Sequence, residues 1–246
     1  MKIRSILFVV VSVALIVGCT AQPIARPSIS AEARIGVVNL VKPTITHTHV
    51  GTTVFNNSVK TYARPWQPSA YLYQQTKAAI ESSGNYTVVN VAPSQALASY
   101  QGDFIDLTFT SFKLDDSIAA ELDRLAAAEK VDLLLILRET SWHDTVTNTN
   151  QNLSGYGLYT RSFLGVNEAF VYANVFPVIV QPSPARIVSG GSGFVLVGRD
   201  PEKIPGFVFP ADVKELSDAD LEQIDTPLRA ILDDAARTVG QELGGQ

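Results

Sequence analysis

The side chains best suited to chemistry in this sequence are two histidines that stand two positions apart, His47 and His49. They lie in a segment rich in Thr and Val, which favours a β-strand, so both imidazoles are predicted to point to one face. Such a pair can hold a zinc or copper ion when a third ligand, here His143 or Asp144, comes from elsewhere. The alternative is an exposed Thr/His strand face beside a hairpin. Because two histidines without flanking Cys or carboxylate form a weak metal pattern, we predict no bound metal or cofactor.

A second candidate group follows the apolar run 131–137 and contains Glu139, His143 and Asp144. Strand ends in α/β sheets often carry functional residues, and a Glu–His or His–Asp pair there could perform general acid–base catalysis. A hydrolase acting on envelope material through Glu139 and His143 is therefore one hypothesis. The alternative is the start of a polar loop in which Arg138 and Glu139 pair at the surface.

Four aromatic residues form the third candidate: Tyr62, Trp66, Tyr71 and Tyr73 are grouped around two prolines. Tyr and Trp are favoured at the energetic centres of protein interfaces, which makes this group a possible binding site. The alternative is ordinary packing of a helix against a sheet, since most large aromatic side chains are at least partly buried.

Sequence motifs that identify common enzyme classes are absent. The chain has no H-E-x-x-H, C-x-x-C, G-x-S-x-G or P-loop pattern. The glycine cluster 190–193 fails the nucleophile pattern because Phe194 occupies the last place, and it is predicted to be a turn between strands. These absences favour a binding or scaffold role over catalysis.

The N-terminus has three zones. Lys2 and Arg4 provide a positive start, an apolar run follows at 6–17, and polar chain begins after Gly18 and Cys19. This layout is that of a secretory signal peptide. The apolar run is shorter than the ~20 residues that a membrane-spanning helix requires.

The junction Ile16-Val17-Gly18-Cys19 resembles the lipobox of bacterial lipoproteins. The resemblance implies cleavage before Cys19 and a diacylglyceryl group on its thiol, which is the only thiol in the chain. Two or three acyl chains would hold the protein at a membrane stably. Thr20 follows the cysteine, where an Asp would mark retention in the inner membrane, so the resemblance implies the outer membrane. We predict a periplasmic orientation, with a surface-facing domain as the alternative.

Charge and composition indicate which partners are excluded and where the domain begins. The formal charge is −5, and an acidic chain does not favour nucleic acid, which is bound through cationic contacts to phosphate. We predict a signal peptide at 1–18, the lipidated cysteine with a flexible Pro/Ser/Ala-rich tether at 19–33, and one globular domain at 34–246.

Periodicity predicts the elements of that domain. Strands are predicted at 35–41, 44–55, 58–63, 86–91, 104–113, 131–137, 158–164, 169–180 and 186–189. Helices are predicted from Ser69 as N-cap to about Gly84, over 93–100, from Asp115 onward, and at the C-terminus, where Pro227 should begin a second helix after a break.

The order of these elements predicts an α/β (α+β) sandwich: a mixed sheet, antiparallel in its second half, packed by helices that include a long C-terminal helix. In architecture alone it resembles the periplasmic domains of envelope assembly lipoproteins of the curli-secretion and TolB N-terminal type. The leading hypothesis is thus a non-enzymatic outer-membrane lipoprotein that binds another envelope protein. Small-ligand or metal binding through His47 and His49 is the alternative.

Overall fold

The computed structural model describes residues 29–30, 32–100, 102, 104–107, 112–144, 147, 149, 151–188, 197–198 and 201–244. The predicted signal peptide, the lipobox with Cys19 and the glycine cluster 190–193 lie outside the described residues. Within them, no helix combines the length and the apolar character needed to cross a membrane.

The chain folds as a mixed α/β structure, which confirms the predicted fold class. The strands are β1 (Arg34–Asn39), β2 (Thr44–Val50), β3 (Ser58–Ala63), β4 (Thr87–Val91), β5 (Ile105–Leu107), β6 (Phe112–Leu114), β7 (Leu133–Glu139), β8 (Ser141–His143), β9 (Asn152–Phe163), β10 (Val166–Gln181), β11 (Arg186–Ile187), β12 (Val197–Gly198) and β13 (Glu202–Lys203). The helices are α1 (Pro68–Ser83), α2 (Gln95–Ala98), α3 (Asp116–Glu129) and α4 (Asp218–Gly244), with a 3-10 turn at Val54–Asn56.

The main sheet has the strand order β3-β2-β9-β10-β7-β1-β4. β1 is parallel to both β4 and β7, as expected for strands joined through helices. β10 is antiparallel to β7 and β9, and β2 is parallel to β9. The short strands β8 and β11–β13 attach to β9 and β10, and β5 pairs only with β6 among the described strands.

One long strand, β10, joins the two halves of the sheet. Its second half pairs with β7, where Val180 is opposite Leu134, and Leu134 in turn is opposite Gly36 of β1. Its first half extends beyond the end of β7 and pairs with β9 up to Val166, opposite Phe163. The β9–β10 hairpin therefore ends far from the end of the sheet where β1 begins.

Apolar side chains cover both faces of the sheet. One face packs against α1 and α4 through residues such as Ile35, Leu135, Leu72 and Leu228. The other face packs against α3 around Leu122. Ile29 and Ala33 fall within the predicted tether, yet Ile29 packs against the first of these cores and Ala33 is buried.

Helix α4 is continuous, so the predicted break before Pro227 is wrong. Proline lacks an amide hydrogen and disfavours a helix interior. The apolar stripe of Leu221, Ile224, Leu228 and Ile231 nevertheless runs unbroken through it, and all four side chains are buried. Burial along the whole stripe outweighs the cost of one proline.

Two local predictions are also corrected. Ser69 is not the N-cap of α1, because the helix begins at Pro68 and Gln67 takes the capping position. The Ser69 hydroxyl instead donates to the Val41 carbonyl, 2.9 Å away. The single strand predicted at 104–113 is two strands, β5 and β6, which pair with each other.

Candidate functional site

His47 and His49 lie on β2 and are both buried, with 0% of the His47 surface exposed. Their imidazoles share a face, as the spacing predicts, since both contact Thr160 on the neighbouring strand β9. The alternative prediction of a solvent-exposed Thr/His face is wrong. The segment before α4 brings the charges of Asp212 and Lys214 near His49.

The hydroxyl of Thr160 bridges the two rings. Its Oγ1 lies 2.8 Å from Nε2 of His47 and 2.9 Å from Nδ1 of His49. A hydroxyl carries one proton and two lone pairs, so with both rings neutral at most one imidazole accepts from Thr160 and at least one donates to it. Burial, together with nearby His49 and Lys60, lowers the pKa of His47 to about 4. Burial and Lys214 likewise lower the pKa of His49.

This arrangement does not form a metal site. Thr160 occupies the space between the ring nitrogens, and no cluster of three or more His, Cys, Asp or Glu side chains suited to a metal ion occurs in the described part of the chain. The candidate third ligands have other partners: His143 contacts Asn152, and Asp144 is bonded to Thr147. The pair therefore packs and bridges strands.

The predicted aromatic group packs mainly against helix α4. Trp66 and Tyr71 meet edge to face, with ring centroids 5.4 Å apart. The Arg229 guanidinium of α4 lies over both rings, 4.7 Å from the Trp66 centroid. The Tyr71 hydroxyl donates to Asp233 at 2.7 Å. These contacts fit the packing alternative, and they stabilise α4 through cation–π and hydrogen-bond interactions.

A buried ion pair lies beside this group. Arg64 donates to both carboxylate oxygens of Asp225, at 3.0 and 2.8 Å, and Trp66 Nε1 donates to the same carboxylate at 2.8 Å. Only 3% of the Arg64 side chain is exposed. The bidentate geometry fixes the loop between β3 and α1 against α4.

Tyr62 and Tyr73 lie apart from that ion pair. The Tyr62 hydroxyl accepts from the Leu216 amide at 3.2 Å, which joins β3 to the segment before α4. Tyr73 lines a shallow cleft of about 450 Å³ beside Asn39, Ser69 and Asn90. All four aromatic side chains are partly buried and pack against the core that α1 and α4 cover.

The Glu139 carboxylate contacts Lys42 and Gly155. Its carboxylate accepts from the Lys42 amide at 2.9 Å and lies 3.5 Å from the Lys42 ammonium. It also packs against Gly155, where a Cβ atom would come within 2.9 Å of the Glu139 carboxyl carbon. Only glycine, here at a φ of +66°, allows this approach. These contacts hold the Glu139 carboxylate beside Lys42 and Gly155.

Asp144 is buried at the start of a loop and accepts hydrogen bonds from Thr147, Thr149 and Tyr159. Burial alone would raise its pKa, but the hydrogen bonds from Thr147 and Thr149 outweigh burial and lower the pKa to about 2. A carboxylate held so firmly in its charged form is a poor general base. It joins Thr147 and Thr149 to Tyr159 of β9.

The most distinctive surface was not singled out from the sequence. Five large apolar side chains stand exposed at the tips of two adjacent hairpins, and we call them the tip surface. They are Val54, Phe55, Phe163, Leu164 and Val166. Phe55 is 88% exposed and Leu164 is 76% exposed. Clustered exposed apolar residues of this kind mark interaction sites far more often than isolated ones do.

The sheet brings the two tips together. β2 and β9 are parallel neighbours with Val50 opposite Arg161, so the chain leaves both strands at the same end. The Thr52 hydroxyl donates to the Ser162 carbonyl at 3.3 Å, which ties the two turns. The sequence signal was present, because each apolar pair stands beside a turn residue, Asn56 or Gly165. The strands predicted at 44–55 and 158–164 include Val54, Phe55, Phe163 and Leu164. These residues were therefore predicted to lie in strands rather than in exposed turns.

Comparison with known proteins adds little. No protein-family model and no curated protein matches the sequence. The chain is similar to a solved structure, a PelC dodecamer from Paraburkholderia phytofirmans, with 8% sequence identity and a TM-score of 0.32. The match covers 89% of this chain and 93% of that chain. A similarity at this TM-score carries no functional information.

The geometry therefore separates two kinds of residue. The titratable candidates, His47, His49, Glu139 and Asp144, are held by internal contacts. The tip surface makes few contacts with the rest of the domain and has the apolar chemistry to bind another molecule.

Proposed function

We propose that this chain is an outer-membrane lipoprotein, held by lipid on Cys19, whose periplasmic domain binds another envelope protein through the tip surface. The role is binding or scaffolding, without catalysis. The observation that carries the proposal is the position of the tip surface. It lies at the end of the sheet opposite to the start of β1, where the chain arrives from Cys19.

Chain geometry supports a partner remote from the anchoring membrane. Val180 is level with Gly36, and from there β10 leads to the tip at Val166 over about 45 Å, at ~3.3 Å per residue. The stretch from Cys19 to Ser28 spans at most about 35 Å even when fully extended. With Cys19 in a bilayer, a domain that stands upright on its tether holds the tip surface at the end away from that bilayer.

The size and chemistry of the tip surface also suit a protein partner. Phe and Leu side chains bury large apolar areas, and a small number of such residues supplies most of the binding energy at many interfaces. Phe163 and Val166 stand on strand ends held by ladder hydrogen bonds, whereas Phe55 and Leu164 stand in the short turns beside strands. The backbone there loses little conformational entropy on binding because these turns are short.

In-cell photo-crosslinking tests the proposal. A benzophenone side chain replaces Phe55 or Leu164 in the full-length chain, and it replaces exposed helix residues Ala78 or Ala120 in the controls. We expect one dominant protein adduct from each tip position and none from the helices. The same experiment with Cys19→Ala should weaken the adduct. Equal adducts at all four positions, or none at the tips, would contradict the proposal.

A further inference from the structure

Two cations flank the tip surface. The Arg161 guanidinium lies over the Phe163 ring, with its central carbon 5.1 Å from the ring centroid. The Lys214 ammonium donates to the Phe55 carbonyl at 3.1 Å. One cation therefore stands beside each hairpin tip. In the part of the chain that the structure describes, neither cation pairs with a carboxylate.

The neighbouring cations are already neutralised. Lys203 pairs with Glu168 at 2.7 Å, and Lys60 pairs with Glu215. Glu168, which is opposite Arg161 in the β9–β10 ladder, and Glu215 are thus engaged with other lysines. The Asp212 carboxylate accepts from the Lys214 amide. Arg161 and Lys214 retain their positive charge toward solvent at the edge of an apolar surface.

The net charge of the chain favours one docking orientation for an acidic partner. The sequence carries a formal charge of −5. An acidic molecule is repelled by most of the surface and attracted where unpaired cations stand. Such a field orients an approaching partner and suppresses other docking orientations.

We propose that the partner is an envelope protein that presents an apolar pocket rimmed by carboxylates, into which Phe55 and Leu164 insert while Arg161 and Lys214 pair with the rim. This inference rests on the proposed function and specifies the chemistry of its partner. The planar guanidinium of Arg161 suits a two-pronged contact with a carboxylate, whereas Lys214 supplies a point charge.

An anionic bilayer would attract the same side chains, but the structure favours a protein. The chain enters β1 at the end of the sheet opposite to the tips. The two flanking cations also suit carboxylates placed around a pocket of defined shape. The bilayer is therefore an outcome of the test below.

The test reverses the two charges and keeps the apolar tips. Arg161→Glu/Lys214→Glu is placed in the full-length chain that carries the crosslinker at Leu164. The matched control, Lys130→Glu/Arg186→Glu, changes the net charge equally at exposed positions outside the tips. We expect the tip variant to lower the yield of the Leu164 adduct roughly tenfold and the control to leave it within about twofold.

A measurement on the unmodified side chains guards against misfolding of the charge variants. Binding of the purified wild-type chain to the captured partner should weaken as ionic strength rises from about 0.05 M to about 0.5 M, because salt screens exposed charges. An adduct insensitive to both charge reversal and salt would overturn this inference and leave the proposed function intact. The absence of any tip adduct in the wild-type chain would overturn both.

Vesicle sedimentation tests whether the tip surface binds a lipid bilayer rather than a protein. The Cys19→Ala chain without residues 1–18 is mixed with vesicles of phosphatidylethanolamine and phosphatidylglycerol and sedimented. We expect it to stay in the supernatant. Co-sedimentation that is lost in Phe55→Ser/Leu164→Ser would assign the tips to a lipid surface and overturn the inference.

Discussion

Nε2 of His47 lies 2.8 Å from Oγ1 of Thr160, while its other ring nitrogen, Nδ1, is buried and has no hydrogen-bond partner in the described part of the chain. A neutral ring can leave an unprotonated Nδ1 there at modest cost. A protonated ring would place an unpaired N–H and a charge in the same buried space. The fold therefore depends on the neutral form of His47.

This dependence predicts loss of stability in weak acid. The pKa of His47 is lowered from 6.5 to about 4 in the folded chain, so between these values the unfolded chain takes up the proton first. The free energy of unfolding should fall through that range by an amount on the order of 3 kcal/mol, with no further loss from His47 below it.

Denaturant titrations at a series of pH values measure the effect. His47→Gln should flatten the pH dependence over that range, whereas His143→Gln, at an exposed histidine, should leave it unchanged. Titration of the His47 ring proton by NMR in the wild-type chain gives an independent check. A midpoint near 6.5 would contradict the prediction.

Removal of the carboxylate that pairs with Arg64 should destabilise the domain strongly. Asp225→Ala leaves the buried Arg64 guanidinium with only the exposed Asp218 carboxylate, 3.6 Å away, and the Trp66 indole N–H without an acceptor. We expect a loss of about 3 to 5 kcal/mol, measured by chemical denaturation. Asp218 is the matched control, since it lies 3.6 Å from the same Arg64 but is 94% exposed. Asp218→Ala should cost less than about 1 kcal/mol, and equal losses would contradict this account.

Helices α1 and α4 approach closely at a glycine. A Cβ atom on Gly240 would stand 2.7 Å from the Ala79 carbonyl oxygen. Gly→Ala inside a helix normally gains about 1 kcal/mol, but we expect Gly240→Ala to lose about 1 to 3 kcal/mol because the helices must separate. Ala230→Gly, at an exposed position of the same helix, measures only the difference in intrinsic helix propensity between alanine and glycine. A stabilised Gly240→Ala variant would show that the helices adjust freely.

Lipidation of Cys19 stays a prediction from the lipobox resemblance. Cells fed a clickable palmitate should label the wild-type chain, and Cys19→Ala should abolish both the label and membrane fractionation. Thr20→Asp is the informative control. It should keep the label but move the protein from the outer to the inner membrane fraction. A labelled Cys19→Ala chain would place the lipid elsewhere.

Elements buried on both faces could be predicted from local sequence. The apolar run at 131–137 contains no polar side chain except Asp132, and it forms most of β7 at the centre of the sheet. Asp115 was predicted at the start of a helix and is the N-cap of α3, where it accepts from the Ser117 amide. Such elements depend on side chains within the same segment, so their signals survive in a single sequence.

Features set by distant partners could not be predicted. Thr160 stands 113 residues from His47 in sequence, and nothing local indicates that its hydroxyl bridges two imidazoles. Gly157 precedes the strand predicted at 158–164 but lies inside β9, where a Cβ atom would meet the Thr46 backbone. The exposure of Phe55 and Leu164 depends on the lack of a covering element, a property of the whole fold.

The continuity of β10 gives the domain a mechanical property. In the proposed arrangement, tension between the lipid on Cys19 and a partner at the tips pulls β1 and β10 in opposite directions along their own axes. The ladders from β1 through β7 to β10 are then sheared, because their hydrogen bonds run across the strands. Many bonds must break together under shear, whereas unzipping from an edge breaks them one at a time. We therefore expect the domain to withstand more force along this line than across the sheet.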